Sequence, residues 1–170
     1  YNEFIPLFRE EAKNKNYLTE VVRQNPYLDI NISAHYGIIT SKKIFSVEID
    51  DYDNYFKNNL SAKTRNIVNK ASKLKFKYNI INLNIDIINK CFKDLYNINM
   101  NKVDASNYYY FNDNYYDQLA NIKNTRLINI LNEYNELIGC SILFEFEKFV
   151  HYHLSCHDNS SNCITNYLLN

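Results

Sequence analysis

The chain has 170 residues, with 19 Lys+Arg against 19 Asp+Glu. That length accommodates one real core, and the even charge argues against a generally basic nucleic-acid binder. Hydrophobic residues at 46% exclude wholesale disorder, no apolar run approaches the roughly 20 residues of a membrane helix, and two glycines (Gly37, Gly139) with two prolines (Pro6, Pro26) exclude collagen-like chains and leave no Gly-rich phosphate loop.

Residues 1–30 are mixed in pattern. Tyr17 to Arg23 reads as a short strand or helix, and Asn25-Pro26 marks a turn. Ile44 to Ile49 alternates apolar and polar residues and reads as a strand. Asp50-Asp51-Tyr52-Asp53 is an acidic entry into a helix over Tyr52 to Asn59, since carboxylates suit the unpaired N–H groups of a helix start.

The clearest helix spans Ser61 to Lys75. Leu60, Ile67, Ala71 and Leu74 make its apolar stripe, while Lys63, Asn66, Lys70, Lys73 and Lys77 line another face. Tyr78 to Leu83 reads as a strand. Ile85, Ile88, Phe92, Leu95 and Ile98 define a second amphipathic helix, Tyr108 to Asn112 an aromatic loop, and Asn114 to Ile122 a short helix capped by Asn112 or Asp113. The pattern then turns to β. Arg126 to Leu131, Glu136 to Phe146 and Phe149 to Ser155 read as an antiparallel meander. A polar loop, Cys156 to Asn162, leads to a helix starting near Cys163 that has barely two turns before Asn170.

The abundance of Asn, Tyr, Ile and Lys fits the codon bias of an AT-rich genome, because the Asn residues form no tracts. Cys91, Cys140, Cys156 and Cys163 lack the spacing of a disulfide framework and read as free thiols of a reducing cytoplasm. His151, His153, Cys156 and His157 are the densest group of chemical side chains. Positions 151 and 153 share one face of a strand. These are metal-ligand residue types, but the spacing matches no zinc pattern, and no metal is expected. The Lys63/Lys70/Lys73 stripe is either a solvated helix face or an anion platform. The loop before the last helix is suited to an anion through free backbone N–H groups, with Ser160, Ser161 and Thr165 adding hydroxyls.

Several segments together resemble one family. Ser61-Ala62-Lys63-Thr64-Arg65 through Lys70-Ala71-Ser72-Lys73 is similar to the basic helix of FemAB-like proteins, the peptidoglycan-bridge aminoacyltransferase branch of the GNAT acyltransferase superfamily. Tyr108 to Asp113 resembles the aromatic segment after the family's second helix. Glu133 to Ser141 resembles its hairpin, and His151-Tyr152-His153-Leu154-Ser155 followed by Asn166-Tyr167-Leu168-Leu169 resembles its strand and closing helix. Order and spacing match over about residues 40–170.

The resemblance implies an α/β (α+β) fold with a GNAT-like central mixed, largely antiparallel sheet flanked by helices. It implies an N-terminal segment, 1–39, as the end of a preceding lobe, and a GNAT-like lobe, 40–170, cut short at its C-terminus. The implied activity is transfer of an acyl or aminoacyl group from acyl-CoA or aminoacyl-tRNA to an amine, such as a peptidoglycan precursor, in the cytoplasm. His153 and His151 are the expected proton acceptors and Tyr152 or Tyr110 the donor. Ser160, Ser161, Asn162, Cys163 and Thr165 take the place of the coenzyme pyrophosphate loop, and Lys63, Arg65, Lys70 and Tyr110 are expected to meet substrate. Larger residues fill both small positions of that loop, and Cys156 stands where the family has glycine, so backbone approach to a pyrophosphate is harder. The alternatives are a binding module with this fold and no catalysis, and a zinc protein. Donor, acceptor and oligomeric state are left open by the residues.

Overall fold

The computed structural model describes residues 4–19, 46–48 and 51–158. The chain divides into two compact units, Tyr1–Glu48 and Ile49–Asn170.

In the first unit the described element is α1 (Phe4–Asn14). Pro6 sits in its first turn, where a missing N–H costs no helical bond. Phe4 and Phe8, one turn apart, stack with centroids 5.7 Å apart. The mixed pattern of residues 1–30 concealed this helix. Tyr17, Leu18 and Thr19 carry no regular structure, and the rest of the segment to Arg23 lies outside the described residues. The same holds for the expected strand at Ile44 to Ile49: Ser46–Glu48 is not in a strand, and its flanks lie outside the described residues.

The second unit is α+β. Its elements are α2 (Tyr52–Asn58), α3 (Ala62–Ala71), β1 (Lys77–Asn82), α4 (Ile85–Ile87), a π turn (Ile88–Phe92), α5 (Lys93–Lys102), α6 (Asp113–Ala120), β2 (Thr125–Leu131), β3 (Leu137–Phe146) and β4 (Phe149–His157). Among the described residues the strands form one sheet, β1-β2-β3-β4, every neighbour antiparallel and flanked by helices. The fold class therefore agrees with the sequence expectation.

The helix starts follow from their caps. Asp51 accepts from the Asp53 N–H, Ser61 from Thr64, Asn84 from Ile87 and Asn112 from Tyr115. Each satisfies one orphan donor. α3 stops at Ala71, short of Lys75, and Leu74 lies beyond it, 41% exposed. The run from Ile85 to Lys102 shifts its buried face by one residue. The π turn inserts an extra residue, so Tyr96 and Asn99 are buried and Ile98 is exposed.

The main core lies between the helices and one sheet face. Ile88, Phe92, Tyr96, Tyr116 and Leu119 pack on Leu127, Cys140, Ile142 and Cys156. Each large apolar side chain so buried contributes about 1.5–3 kcal/mol. A smaller cluster, Ile130 and Ile138 with Phe76 and Ile128, occupies the other face.

Asn and Asp do the work that glycine does in most chains. Asn16 and Asp104 have φ of 57° and 49° just past α1 and α5. In each case the next residue's N–H reaches five residues back, Tyr17 to the Ala12 carbonyl and Ala105 to the Met100 carbonyl. That is the left-handed helix stop usually built on glycine. Asn135 (φ 63°) closes the β2–β3 hairpin, and Asn124 (φ 58°) precedes β2. Glu147 (φ 47°), in the two-residue turn between Phe146 and Phe149, is the exception to the Asn/Asp rule.

Candidate functional site

The site is built on a β-bulge in β4. Ile142 pairs with Leu154 and Leu143 with Tyr152, so His153 is an extra residue with no partner on β3. A bulge of this kind re-aims side chains and breaks the ladder locally. Below it, Cys156 and Leu154 face the helices. Above it, the alternation changes phase. His151 joins that same face, stacking on Phe144 at 5.8 Å, while His153 lies 4.4 Å from Phe144 and 5.8 Å from His151, all between ring centroids. Tyr152 pairs with Leu143, on the opposite face. The expected grouping of His151, His153 and Tyr152 is thus divided: the two imidazoles come together and Tyr152 does not join them.

Tyr115 completes the group. Its hydroxyl shares a hydrogen bond with His153 Nε2 at 2.7 Å. Asn112 fixes the first turn of α6 by accepting the Tyr115 N–H at 2.9 Å, and Phe111 stacks on the Tyr115 ring at 4.0 Å. Tyr116, the next residue, points into the core. No pattern in the sequence links position 115 to position 153. The Asn112 cap placed the helix, but only the tertiary fold brings the two side chains together.

Burial, with the neighbouring His151 second, pushes His153 down to about 4. Burial, then the Tyr108 hydroxyl, pushes Tyr115 up. At neutral pH both groups are therefore uncharged. His153 is a weaker base than its residue type suggests. When His153 Nε2–H donates to the Tyr115 oxygen, Nδ1 keeps a lone pair and the Tyr115 hydroxyl keeps a proton to pass on.

The remaining expected residues lie elsewhere. Tyr110 donates its hydroxyl proton to Asn101 Oδ1 at 2.7 Å. Arg65 donates to the carbonyls of Lys57 (2.8 Å) and Leu60, tying α3 to the end of α2. Its guanidinium is thus engaged in structure. Lys63 and Lys70 are exposed on α3. Ser160, Ser161, Asn162, Cys163 and Thr165 lie outside the described residues. Cys156 and His157, expected in a loop, are the last residues of β4. The His157 carbonyl accepts from Asn99 Nδ2 at 3.1 Å, and burial, followed by Lys102, lowers the His157 imidazole.

Among the described residues no three His, Cys, Asp or Glu side chains converge into a group that could hold a metal ion. No helix among them is long and apolar enough to cross a membrane. Two shallow surface hollows are among those on the described residues. One lies over Asn89, Lys93, Asp113 and Asp117, where Lys93 pairs with Asp113. The other lies between Leu74, Phe76 and Tyr134. Neither includes His151 or His153. No protein-family model matches the chain, and no curated protein matches it.

Proposed function

We propose that the chain is an N-acyltransferase of the GNAT/FemAB-like type, moving an acyl or aminoacyl group from acyl-CoA or aminoacyl-tRNA to an amine such as a peptidoglycan precursor in the cytoplasm. The observation that carries this reading is the His153 bulge in an antiparallel sheet, with Tyr115 against the imidazole. Acyl transfer to an amine needs donors for the developing oxyanion and an acceptor for the amine proton. An unpaired bulge residue supplies backbone free of the ladder. The Tyr115–His153 pair supplies a neutral acceptor and a hydroxyl proton for the leaving group. Lys63 and Lys70 on the exposed face of α3 suit phosphates of either donor.

The test is transfer by the purified full chain from radiolabelled acetyl-CoA, or from charged tRNA, to lysine-containing peptide acceptors. Product formation that depends on His153 is expected. Absence of transfer from both donors, together with absence of any thermal shift with coenzyme A or tRNA, overturns the reading. A second reading, a binding module with this fold, is favoured by the low basicity of His153. It predicts donor-induced stabilisation without turnover.

A further inference from the structure

We propose that Cys140 and Cys156 are a site of reversible disulfide cross-linking between β3 and β4. The two residues sit directly opposite each other in the antiparallel ladder, and both are fully buried. Their sulfurs are 3.3 Å apart. Residues so paired carry Cβ atoms about 4.5–5.5 Å apart, against the 3.5–4.5 Å that a disulfide requires. A small approach of the two strands, together with rotation of the thiols from their present 3.3 Å, closes the gap with no change of register. The acyl-transfer reading uses neither thiol, so this inference stands or falls independently of it.

The chemistry balances with a peroxide as oxidant. Each thiol gives up one proton and one electron, a sulfur–sulfur bond forms, and hydrogen peroxide accepts both electrons and both protons and leaves as two waters. A dithiol reverses the step by exchange. Access comes from the strand order. β4 has β3 as its one ladder partner among the described residues, so opening of β4 exposes both thiols at once. In the closed state, the hydrogen bond to Cys156 and burial raise Cys140 and keep it protonated. Oxidation therefore proceeds through the open strand. Cross-linking then pins β4 just below the bulge that holds His153.

The test uses the full chain exposed to hydrogen peroxide, followed by intact mass, tryptic mapping and thermal unfolding. Cleavage after Lys148 separates the two cysteines into different peptides, and fragmentation distinguishes Cys156 from Cys163. Expected are a loss of 2 Da, a Cys140–Cys156 link, and a Tm raised by several degrees that dithiothreitol returns to its starting value. A Cys91→Ser/Cys163→Ser chain, with only the proposed pair left, is expected to behave the same way. If the mapped link joins other cysteines in the wild-type chain, the proposal fails. It also fails if both thiols remain free after peroxide treatment, or if the sulfurs gain oxygen without linking. Mapping on the unmodified chain decides the matter even if a variant does not fold.

Discussion

The Tyr115 hydroxyl lies 2.7 Å from His153 Nε2, joining the first turn of α6 to the one residue of β4 that has no strand partner. Neither side chain could be held there alone. Tyr115 is clamped by its ring stack on Phe111 and by the Asn112 cap, and His153 is turned towards it by the bulge. Tyr115→Phe removes the shared hydrogen bond while keeping the ring. A stability loss of about 1 kcal/mol is expected in urea unfolding. With Nε2–H as the donor, the His153 pKa should fall further, because an oxygen that favours the imidazolium over the neutral ring is gone. If the chain transfers acyl groups, turnover should fall by about 10- to 100-fold. A variant with unchanged turnover would remove Tyr115 from the chemistry.

His153 also sets a pH dependence. Its folded value, about 4, lies below the ordinary 6.5. Between those values the unfolded chain binds a proton that the folded chain does not, so stability is complete above about pH 6.5 and declines as pH falls towards 4. Solvent screening of this half-buried ring limits the effect to about 2 kcal/mol or less. The groups facing the imidazole are His151 and Tyr115, with Tyr108 beyond. His157, also lowered, acts in the same direction. Carboxylates titrate in this window too, so the informative measurement is the wild-type slope minus that of His153→Asn. Equal slopes would refute the assignment.

The regular parts of this fold were legible in the sequence because their periods run uninterrupted. The boundaries of α2, α6, β1, β2 and β3 fall within a residue or two of expectation. What was hidden lies where one extra residue breaks a period. The π turn moved the buried face from Leu95 and Ile98 to Tyr96 and Asn99. The bulge let His153 and Leu154, adjacent in sequence, share one face, and brought His151 to that face as well. Arg65 was expected to meet substrate, and its structural role was hidden because its carbonyl partners, Lys57 and Leu60, have no side-chain signature. Of the candidate site, the His151–His153 pair was readable and its Tyr115 partner was not.

Tyr116 offers a test of core energetics. Its hydroxyl is buried without a hydrogen-bond partner, although its ring packs well and Lys93 Nζ lies 5.6 Å from the ring centroid. Burying an unsatisfied hydroxyl costs about 1–3 kcal/mol. Tyr116→Phe deletes that atom and keeps the packing, so the variant should be as stable as wild type or up to about 1 kcal/mol more stable. A clear loss of Tm would mean that the hydroxyl is satisfied after all.

The left-handed positions make a paired prediction. Glu147 has φ of 47° and, unlike Asn or Asp, no short side chain to ease that conformation. Glu147→Gly should raise stability by about 0.5–1 kcal/mol, net of the added freedom of glycine in the unfolded chain. Asn124→Gly should change little, whereas Asn124→Val should cost about 1–2 kcal/mol. Thermal unfolding of the three variants checks the ranking, and a destabilised Glu147→Gly would contradict it.

The order of strands in the sheet carries a cost that falls unevenly. β2, β3 and β4 follow one another through short hairpins, so each pairing closes a small loop. β1 meets β2 only after residues 83–124, with α4, the π turn, α5 and α6, have folded back between them. Closing that long loop takes the largest entropy toll in the sheet. β1, an edge among the described residues with Tyr78 and Ile80 exposed, is therefore the last of these strands to join. Its amides, from Lys77 to Asn82, should be the first strand amides to exchange with solvent, while the β2–β3 ladder holds until the whole unit opens.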